Sequence, residues 1–333
     1  MNRPVIIVGN GVHIARVEER VRDFCRAAAC PILSTWTGSD IVYDLPLHIG
    51  HFGIFGDRAS NFTVQNADYL LVLGASLCMP QTGYDKEKFA PYAGIQRIND
   101  VDEFLDIQEM TELLRHPEWN SQCLDWKRRY GIDAEPRERD VRYTNSFDFI
   151  REWSEGLPSD AIVVTDMGTA FTCTFQAARM KWGQRWLTAS GFAPMGYAIP
   201  GALGAHYATG RPVWAIVGDG ALQFNLASLQ QIRGLPIHVI VLENGGYLTM
   251  KHTFQNHYGH RVGSEFDFSN IAEVAKAYGV ADQVQIVHMD LMQALTPRIA
   301  GYKGENGEIT SRPLEDMSPP LPRDELAEQM RCE

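Results

Sequence analysis

The sequence has no two cysteines in C-x-x-C spacing; Cys25, Cys30, Cys78, Cys123, Cys173 and Cys332 stand apart. That excludes the usual zinc and dithiol motifs, and a chain of 333 residues needs no disulfide staples. The thiols are read as reduced and the protein as cytoplasmic. No apolar stretch approaches the ~20 residues of a membrane span. The first apolar run, Val5-Ile6-Ile7-Val8, is too short for a signal-peptide core. Basic charge is in deficit, with 30 bases against 41 acids and a net charge of −11. That argues against a nucleic-acid partner, whose phosphates call for a basic surface. The chain also lacks internal repeats and low-complexity segments. Gly9-Asn10-Gly11-Val12-His13-Ile14 lacks the third glycine of the dinucleotide fingerprint, which argues against a nicotinamide site.

What is present is ordinary globular composition, 45% hydrophobic and 21% charged. At about 150 residues per domain the length predicts two domains, each large enough for its own core. Val5–Val8, Pro31–Leu33, Ala67–Gly74 and Gly94–Asn99 read as strands. Val17, Val21, Phe24, Cys25 and Ala28 mark an amphipathic helix between the first two. Glu135-Pro136-Arg137-Glu138-Arg139-Asp140 is polar and carries a proline, so the linker is placed at 131–145. The rhythm then resumes, with Phe147, Ile150, Trp153 and Leu157 on a helix and strands at Ala161–Thr165, Val213–Val217 and Ile237–Leu242. Strands alternating with helices predict an α/β fold of two doubly wound parallel sheets. The expected division is 1–130, linker 131–145, 146–300 and a C-terminal tail 301–333.

Three of these strands close on turns with chemistry. They are Asp166-Met167-Gly168, Gly218-Asp219-Gly220 and Glu243-Asn244-Gly245-Gly246. Ligands of open parallel sheets bind beyond the carboxyl ends of the strands. Asp219 and Asn244 are 25 positions apart, room for one crossover helix, so neighbouring strands bring a carboxylate beside a carboxamide. With the Gly246 carbonyl they make three hard oxygen ligands, a set suited to Mg²⁺. Gly218 and Gly220 allow close approach of a phosphate, and an amphipathic helix carrying Leu222, Leu226, Leu229 and Ile232 is expected to point its N-terminus there.

The run of strand, Gly-Asp-Gly, Asn225, helix, strand and Asn-Gly-Gly resembles the cofactor-anchoring motif of thiamine-diphosphate enzymes. Thr165-Asp166-Met167-Gly168 is similar to that family's diphosphate-contacting turn. Ser190-Gly191-Phe192-Ala193-Pro194-Met195-Gly196-Tyr197-Ala198-Ile199-Pro200 is similar to its pyrimidine-holding segment. The resemblance implies that Met195 bends the cofactor and that the Pro194 carbonyl lies near its exocyclic amine. It places Asp166, Gly168, Thr169, Ala170, Gly196, Gly218, Gly220, Ala221, Tyr247 and Leu248 around the cofactor, and Asp219, Asn244 and Gly246 on the metal. Residues 1–110, through Gly53–Gly56, Ala67-Asp68 and Leu73–Leu77, resemble the central domain of the acetolactate-synthase-like branch, which holds FAD in some members. Gly246–Thr253 and Pro313–Pro319 are similar to acetolactate synthase homologues as well. Thr249, Lys251 and His252 then follow the metal turn on the substrate side. His252, His257 and His260 fit no zinc spacing and are read as surface or substrate-loop residues.

The family's N-terminal domain binds the pyrimidine and supplies an activating glutamate, and the sequence opens at the central domain. The expectation is a split enzyme. A separate pyrimidine-domain subunit completes a heterotetramer built on a homodimer of this chain, with thiamine diphosphate and Mg²⁺ as cofactors. Glu243, where the family has asparagine, is a weak substitute for that glutamate because it lies on the diphosphate side. Only 17 positions separate Gly279 from Thr296, so one strand–helix unit is expected to be lost, leaving Val284–Val287 as an exposed edge that a partner covers. The implied activity is decarboxylation of a pyruvate-like 2-oxoacid, with transfer of the acyl carbanion to an acceptor carbonyl. The alternatives are a simple 2-oxoacid decarboxylase subunit and a non-catalytic regulatory homologue.

Overall fold

A computed structural model describes the chain apart from residues 100–109, 138, 140, 261–262, 264–269, 292, 294, 300, 304–308, 331–333 and the side chains of 256 and 257. Glu138 and Asp140 of the expected linker, Cys332 and the His257 side chain thus lie outside the described residues.

The chain divides into two compact units, Met1–Pro136 with Thr296–Glu333, and Arg137–Leu295. The first contains a five-stranded parallel sheet of β1 (Pro4–Val8), β2 (Ile32–Ser34), β3 (His48–His51), β4 (Tyr69–Leu73) and β5 (Gly94–Ile98), in the order β3-β2-β1-β4-β5. β1 is buried along its whole length because both faces of the sheet are covered. Val5 and Ile7 join a core with Leu33, Leu70 and Val72, closed by Phe62 of α2 (Arg58–Asn66) and Trp119 and Trp126 of α3 (Pro117–Tyr130). Ile6 and Val8 join the opposite core with Val21, Phe24 and Cys25 of α1 (Glu18–Ala28), which confirms the amphipathic reading of that helix.

The expected linker is largely absorbed into the units. Glu135 is buried and bonded to Arg58, Nε to Oε2 at 3.0 Å, whereas Thr144 N donates to His288 O in the second unit at 3.1 Å. The expected tail belongs to the first unit. α2 is buried on every side, and its polar residues at 58, 61, 65 and 66 reach the C-terminal segment. Arg58 Nη1 donates to Met317 O (3.3 Å), Asn61 Nδ2 to Leu314 O (2.9 Å), Gln65 Nε2 to Glu315 Oε2 (2.7 Å) and Asn66 Nδ2 to Gln329 O (3.1 Å). Trp126 Nε1 donates to Gln329 Oε1 (3.0 Å), on the helix that spans Arg323–Gln329.

The second unit holds β6 (Ile162–Thr165), β7 (Arg185–Thr188), β8 (Val213–Gly218), β9 (Ile237–Glu243) and β10 (Val284–His288), all parallel, in the order β10-β9-β8-β6-β7. β10 is an edge strand, as the spacing after Gly279 predicts. α4 (Ser146–Glu155) is capped by Asn145, whose Oδ1 accepts from Phe147 N at 3.0 Å. On one face Trp186 packs edge-on against Trp153 of α4 and Phe175 of α5 (Thr169–Ala177). The other face packs on Ile199 and Ala202 of α6 (Ala198–Thr209). No helix among the described residues is long and apolar enough to cross a membrane.

Candidate functional site

The chain adds β7 on one side of β6 and then crosses to build β8, β9 and β10 on the other. Such a reversal opens a crevice beyond the strand ends, where ligands of doubly wound sheets bind. Asp166 follows β6, Asp219 follows β8 and Asn244 follows β9, so the three polar residues stand at neighbouring strand ends.

Asp219 is fully buried. Its Oδ1 accepts from Gly220 N at 2.8 Å, and its Oδ2 from Gly245 N at 2.8 Å and Gly246 N at 3.1 Å. Burial pushes its carboxyl above the ordinary value; the three N–H donors oppose that rise and nearby Glu243 adds to it. Asn244 Nδ2 donates to Thr169 Oγ1 at 3.0 Å. The other end of the amide then lies 2.7 Å from Gly246 O and 3.2 Å from Asp219 Oδ1. With the amide in this orientation its oxygen meets two other oxygens with no hydrogen between them, which only a bound cation would satisfy; the protein's own hydrogen bonds favour the amide turned over. With the amide turned over, its NH₂ bonds to both oxygens. Mg²⁺ holds oxygens at about 2.1 Å in an octahedron, which sets neighbouring ligands about 3 Å apart; the two observed spacings bracket that value. No group of three or more His, Cys, Asp or Glu gathers among the described residues. The donors here are one carboxylate, one carboxamide and one backbone carbonyl, and they fit the ion.

Around this triad the predicted residues divide by exposure. Gly168 has φ +77° and caps α5, where a Cβ would stand 3.6 Å from Thr249 Oγ1. That hydroxyl is buried without a hydrogen-bond partner. The α5 N-terminus and an orphan hydroxyl therefore meet where an anionic oxygen fits. Gly218 has open space at its Cβ position, whereas Gly220 lies under the Tyr247 ring, whose Cε1 would be 2.5 Å from an added Cβ. Ala170, Ala221 and Leu248 are buried.

Asp166 works on the neighbouring loop. Its Oδ1 accepts from Met167 N (2.9 Å) and Gly196 N (3.0 Å), and its Oδ2 from Ala198 N (2.9 Å). Asn225 Nδ2 grips the same loop through Gly196 O at 2.8 Å. These bonds hold Pro194 and Met195 at the surface, with Met195 40% exposed, so Met195 is not a core residue. Asn225 also breaks the long helix predicted after Gly-Asp-Gly. A four-residue α-turn at Asp219–Leu222 passes into 3₁₀ structure over Gln223–Ile232, with Asn225 at φ −139°, ψ 37°. A side chain bonded across to a loop has left helical geometry to reach it. That segment offers a four-residue α-turn in place of the long helix expected to face the phosphate, whereas α5 opens at the site with nine residues.

Lys251 and His252 lie on α7 (Leu248–Tyr258). Lys251 is buried, with Nζ donating to Gly245 O at 2.9 Å, and His252 Nε2 bonds to Gln293 O at 2.8 Å. Both side chains are turned onto the protein's own backbone. Glu243 is register partner to His288 on β10 and is hydrogen-bonded to its Nδ1. Sequence reasoning missed Asn225 as the second anchor of the Met195 loop. It also missed Gln293, whose Oε1 accepts from Ser146 N at 2.7 Å.

Comparison with known proteins fits this site. Residues 1–108 match the family described as thiamine pyrophosphate enzyme, central domain, and residues 166–304 match thiamine pyrophosphate enzyme, C-terminal TPP binding domain. The chain belongs to the thiamine pyrophosphate enzymes, and carries their central and C-terminal domains. Within that class it is similar to acetolactate synthases. It is 28% identical to the acetolactate synthase isozyme 2 large subunit of Escherichia coli (strain K12), over 73% of this chain and 47% of that protein. It is 28% identical to the acetolactate synthase large subunit of Lactococcus lactis subsp. lactis (strain IL1403), over 84% of this chain and 52% of that one. A third relative is the acetolactate synthase large subunit of Parasynechococcus marenigrum (strain WH8102), 27% identical over 92% and 55%. The chain spans about half the length of these relatives.

Proposed function

We propose that these 333 residues hold the diphosphate and metal end of an acetolactate synthase-like enzyme that decarboxylates a pyruvate-like 2-oxoacid and joins the acyl group to an acceptor carbonyl. The observation that carries the reading is the oxygen triad of Asp219, Asn244 and Gly246 at adjacent strand ends. Those residues hold Mg²⁺. Gly168 and Thr169 at the start of α5, Gly218 and Gly220 on β8 and its turn, and the Thr249 hydroxyl face the diphosphate. Asp166 and Asn225 fix the loop that presents Pro194 and Met195 to the pyrimidine. Thiamine diphosphate supplies the electron sink for decarboxylation when bound. The protein contributes placement, counter-charge and exclusion of water.

The pyrimidine side, with its activating carboxyl, comes from a separate subunit that docks on this chain. Two features support that reading. Met195 and Phe192 stand 40% and 99% exposed on the loop. Glu243, the last residue of β9 and next to Asn244, is tied to His288 on the neighbouring strand β10. The test is to titrate thiamine diphosphate and Mg²⁺ into the 333-residue chain. Pyruvate turnover is then assayed alone and with a pyrimidine-domain polypeptide. Cofactor binding by the chain, with 2-acetolactate formed only in the mixture, is the expected result. Full turnover by the chain alone removes the separate subunit, and failure to bind removes the functional reading. Free acetaldehyde as sole product replaces ligation by simple decarboxylation.

A further inference from the structure

Lys251 lies seven residues beyond Asn244, in the first turn of α7, and is 4% exposed. A buried ammonium is costly unless hydrogen-bonded. Its Nζ donates to Gly245 O at 2.9 Å and to Asn244 O at 3.4 Å. The metal turn carries three consecutive carbonyls. Those of Asn244 and Gly245 face the lysine, and that of Gly246 lies 2.7 Å from the Asn244 amide, which itself lies 3.2 Å from Asp219 Oδ1. The reversal uses φ +68° at Gly245 and +118° at Gly246, backbone that glycine adopts without strain. The same glycines leave the turn easy to deform, so its ligating shape has to be held from outside.

We propose that Lys251 is a positioning residue for the cation site. By binding two of the three carbonyls it fixes the third, that of Gly246, beside the Asp219 carboxylate and the Asn244 carboxamide. Its ammonium faces the turn, which replaces the substrate-side role expected from its place in the chain. The proposal rests on the metal reading above and deepens it.

The test measures Mn²⁺ binding to the full chain in the presence of thiamine diphosphate, read from the loss of the free-ion electron paramagnetic resonance signal. Groups that orient metal ligands are worth about 10–100-fold in metal affinity. Lys251→Met is expected to weaken Mn²⁺ by about 10-fold or more, and Lys251→Arg, which keeps charge and donors, to restore most of it. Circular dichroism in EDTA checks that each variant is folded. If Lys251→Met does not fold, Lys251→Gln binding more weakly than Lys251→Arg supports the proposal. Equal Mn²⁺ affinity in the wild type and every folded variant overturns it, and a raised KM for the 2-oxoacid with unchanged Mn²⁺ affinity returns Lys251 to the substrate side. Absence of Mn²⁺ binding by the wild type counts instead against the metal reading itself.

Discussion

Asp166 and Gly196 are thirty positions apart, and the Gly196 N–H donates to the buried Asp166 carboxylate at 3.0 Å. That bond ties the end of β6 to the loop carrying Met195. The carboxylate thus anchors the loop on which Met195 is presented.

Asp166→Asn should therefore loosen the Met195 loop and leave the metal triad in place. The amide NH₂ would confront a backbone N–H, at a cost of about 1–3 kcal/mol. Protease cleavage within 190–197 should speed up, while Mn²⁺ affinity in the presence of thiamine diphosphate stays near that of the wild type. Equal cleavage of both proteins would remove the anchor role.

Gly196→Ala should disturb the same loop by a different route. The residue has φ +84°, and a Cβ would stand 2.8 Å from Phe224 Cβ and 2.9 Å from Asn225 Nδ2. Strain and overlap together are expected to cost about 1–3 kcal/mol. A lowered melting temperature of the second unit, with weaker thiamine diphosphate binding, is the expected result.

Asp219→Ala should abolish metal-dependent cofactor binding. It also strands the Gly220, Gly245 and Gly246 N–H groups that the carboxylate now accepts from. Metal removal by EDTA should release the cofactor and spare the fold, because those same N–H bonds hold the turn without the ion. Calorimetric titration before and after Mg²⁺ is restored separates the two effects.

The first unit should lose stability on acidification, with one aspartate opposing. Burial pulls the His51 imidazole from 6.5 down to about 4 and pulls His48 well below 6.5 as well. Unfolded chains take up those protons first, so stability falls as pH drops below 6.5. Burial lifts Asp57 from 3.8 to about 6, so its contribution is present below 3.8 and is lost as pH rises through 6. Each shift of this size is worth about 3 kcal/mol. Asp57→Asn, which keeps the cap on Ser60 N, should steepen the acid loss between pH 6 and 4, and His51→Gln should flatten it. Hydrogen exchange of α2 against pH reads the first unit alone.

Truncation after Arg312 should destabilise α2 specifically. It removes acceptors for Arg58, Asn61, Gln65 and Asn66 at once. Each side chain keeps a second partner, Glu135 for Arg58, Gly53 O for Asn61, Lys88 O for Gln65 and Phe62 O for Asn66. The expected loss is therefore that of four hydrogen bonds at about 1 kcal/mol each, on the order of 4 kcal/mol. Faster amide exchange across Arg58–Asn66, with β8 and β9 unchanged, is the signature.

Most of the sheet was legible because buried parallel strands read as apolar runs, ending in glycine at β1, β4 and β8 and in Glu-Asn-Gly-Gly at β9. β3 and β7 were not seen, since His48–His51 and Arg185–Thr188 are four residues long with little aliphatic character. The placement of Asp219 beside Asn244 was legible from spacing because β8 and β9 are joined by one short crossover and pair as neighbours. The broken helix was not, since Leu222, Leu226, Leu229 and Ile232 keep a helical period across a kink made by one asparagine. Chain order shows that Lys251 follows the turn but not that its side chain folds back onto it. The return of the C-terminal segment was hidden because Arg58, Asn61, Gln65 and Asn66 look like a solvated face.

The first unit is discontinuous, interrupted at Pro136 and resumed at Thr296. During synthesis domains tend to fold as units from the N-terminus, at about 5–20 residues per second. Here that order is inverted. Residues 137–295 emerge whole and are free to fold while α2 still shows its polar face to water. The domain that is translated first is completed last, when Gln329 leaves the ribosome and reaches Asn66 and Trp126.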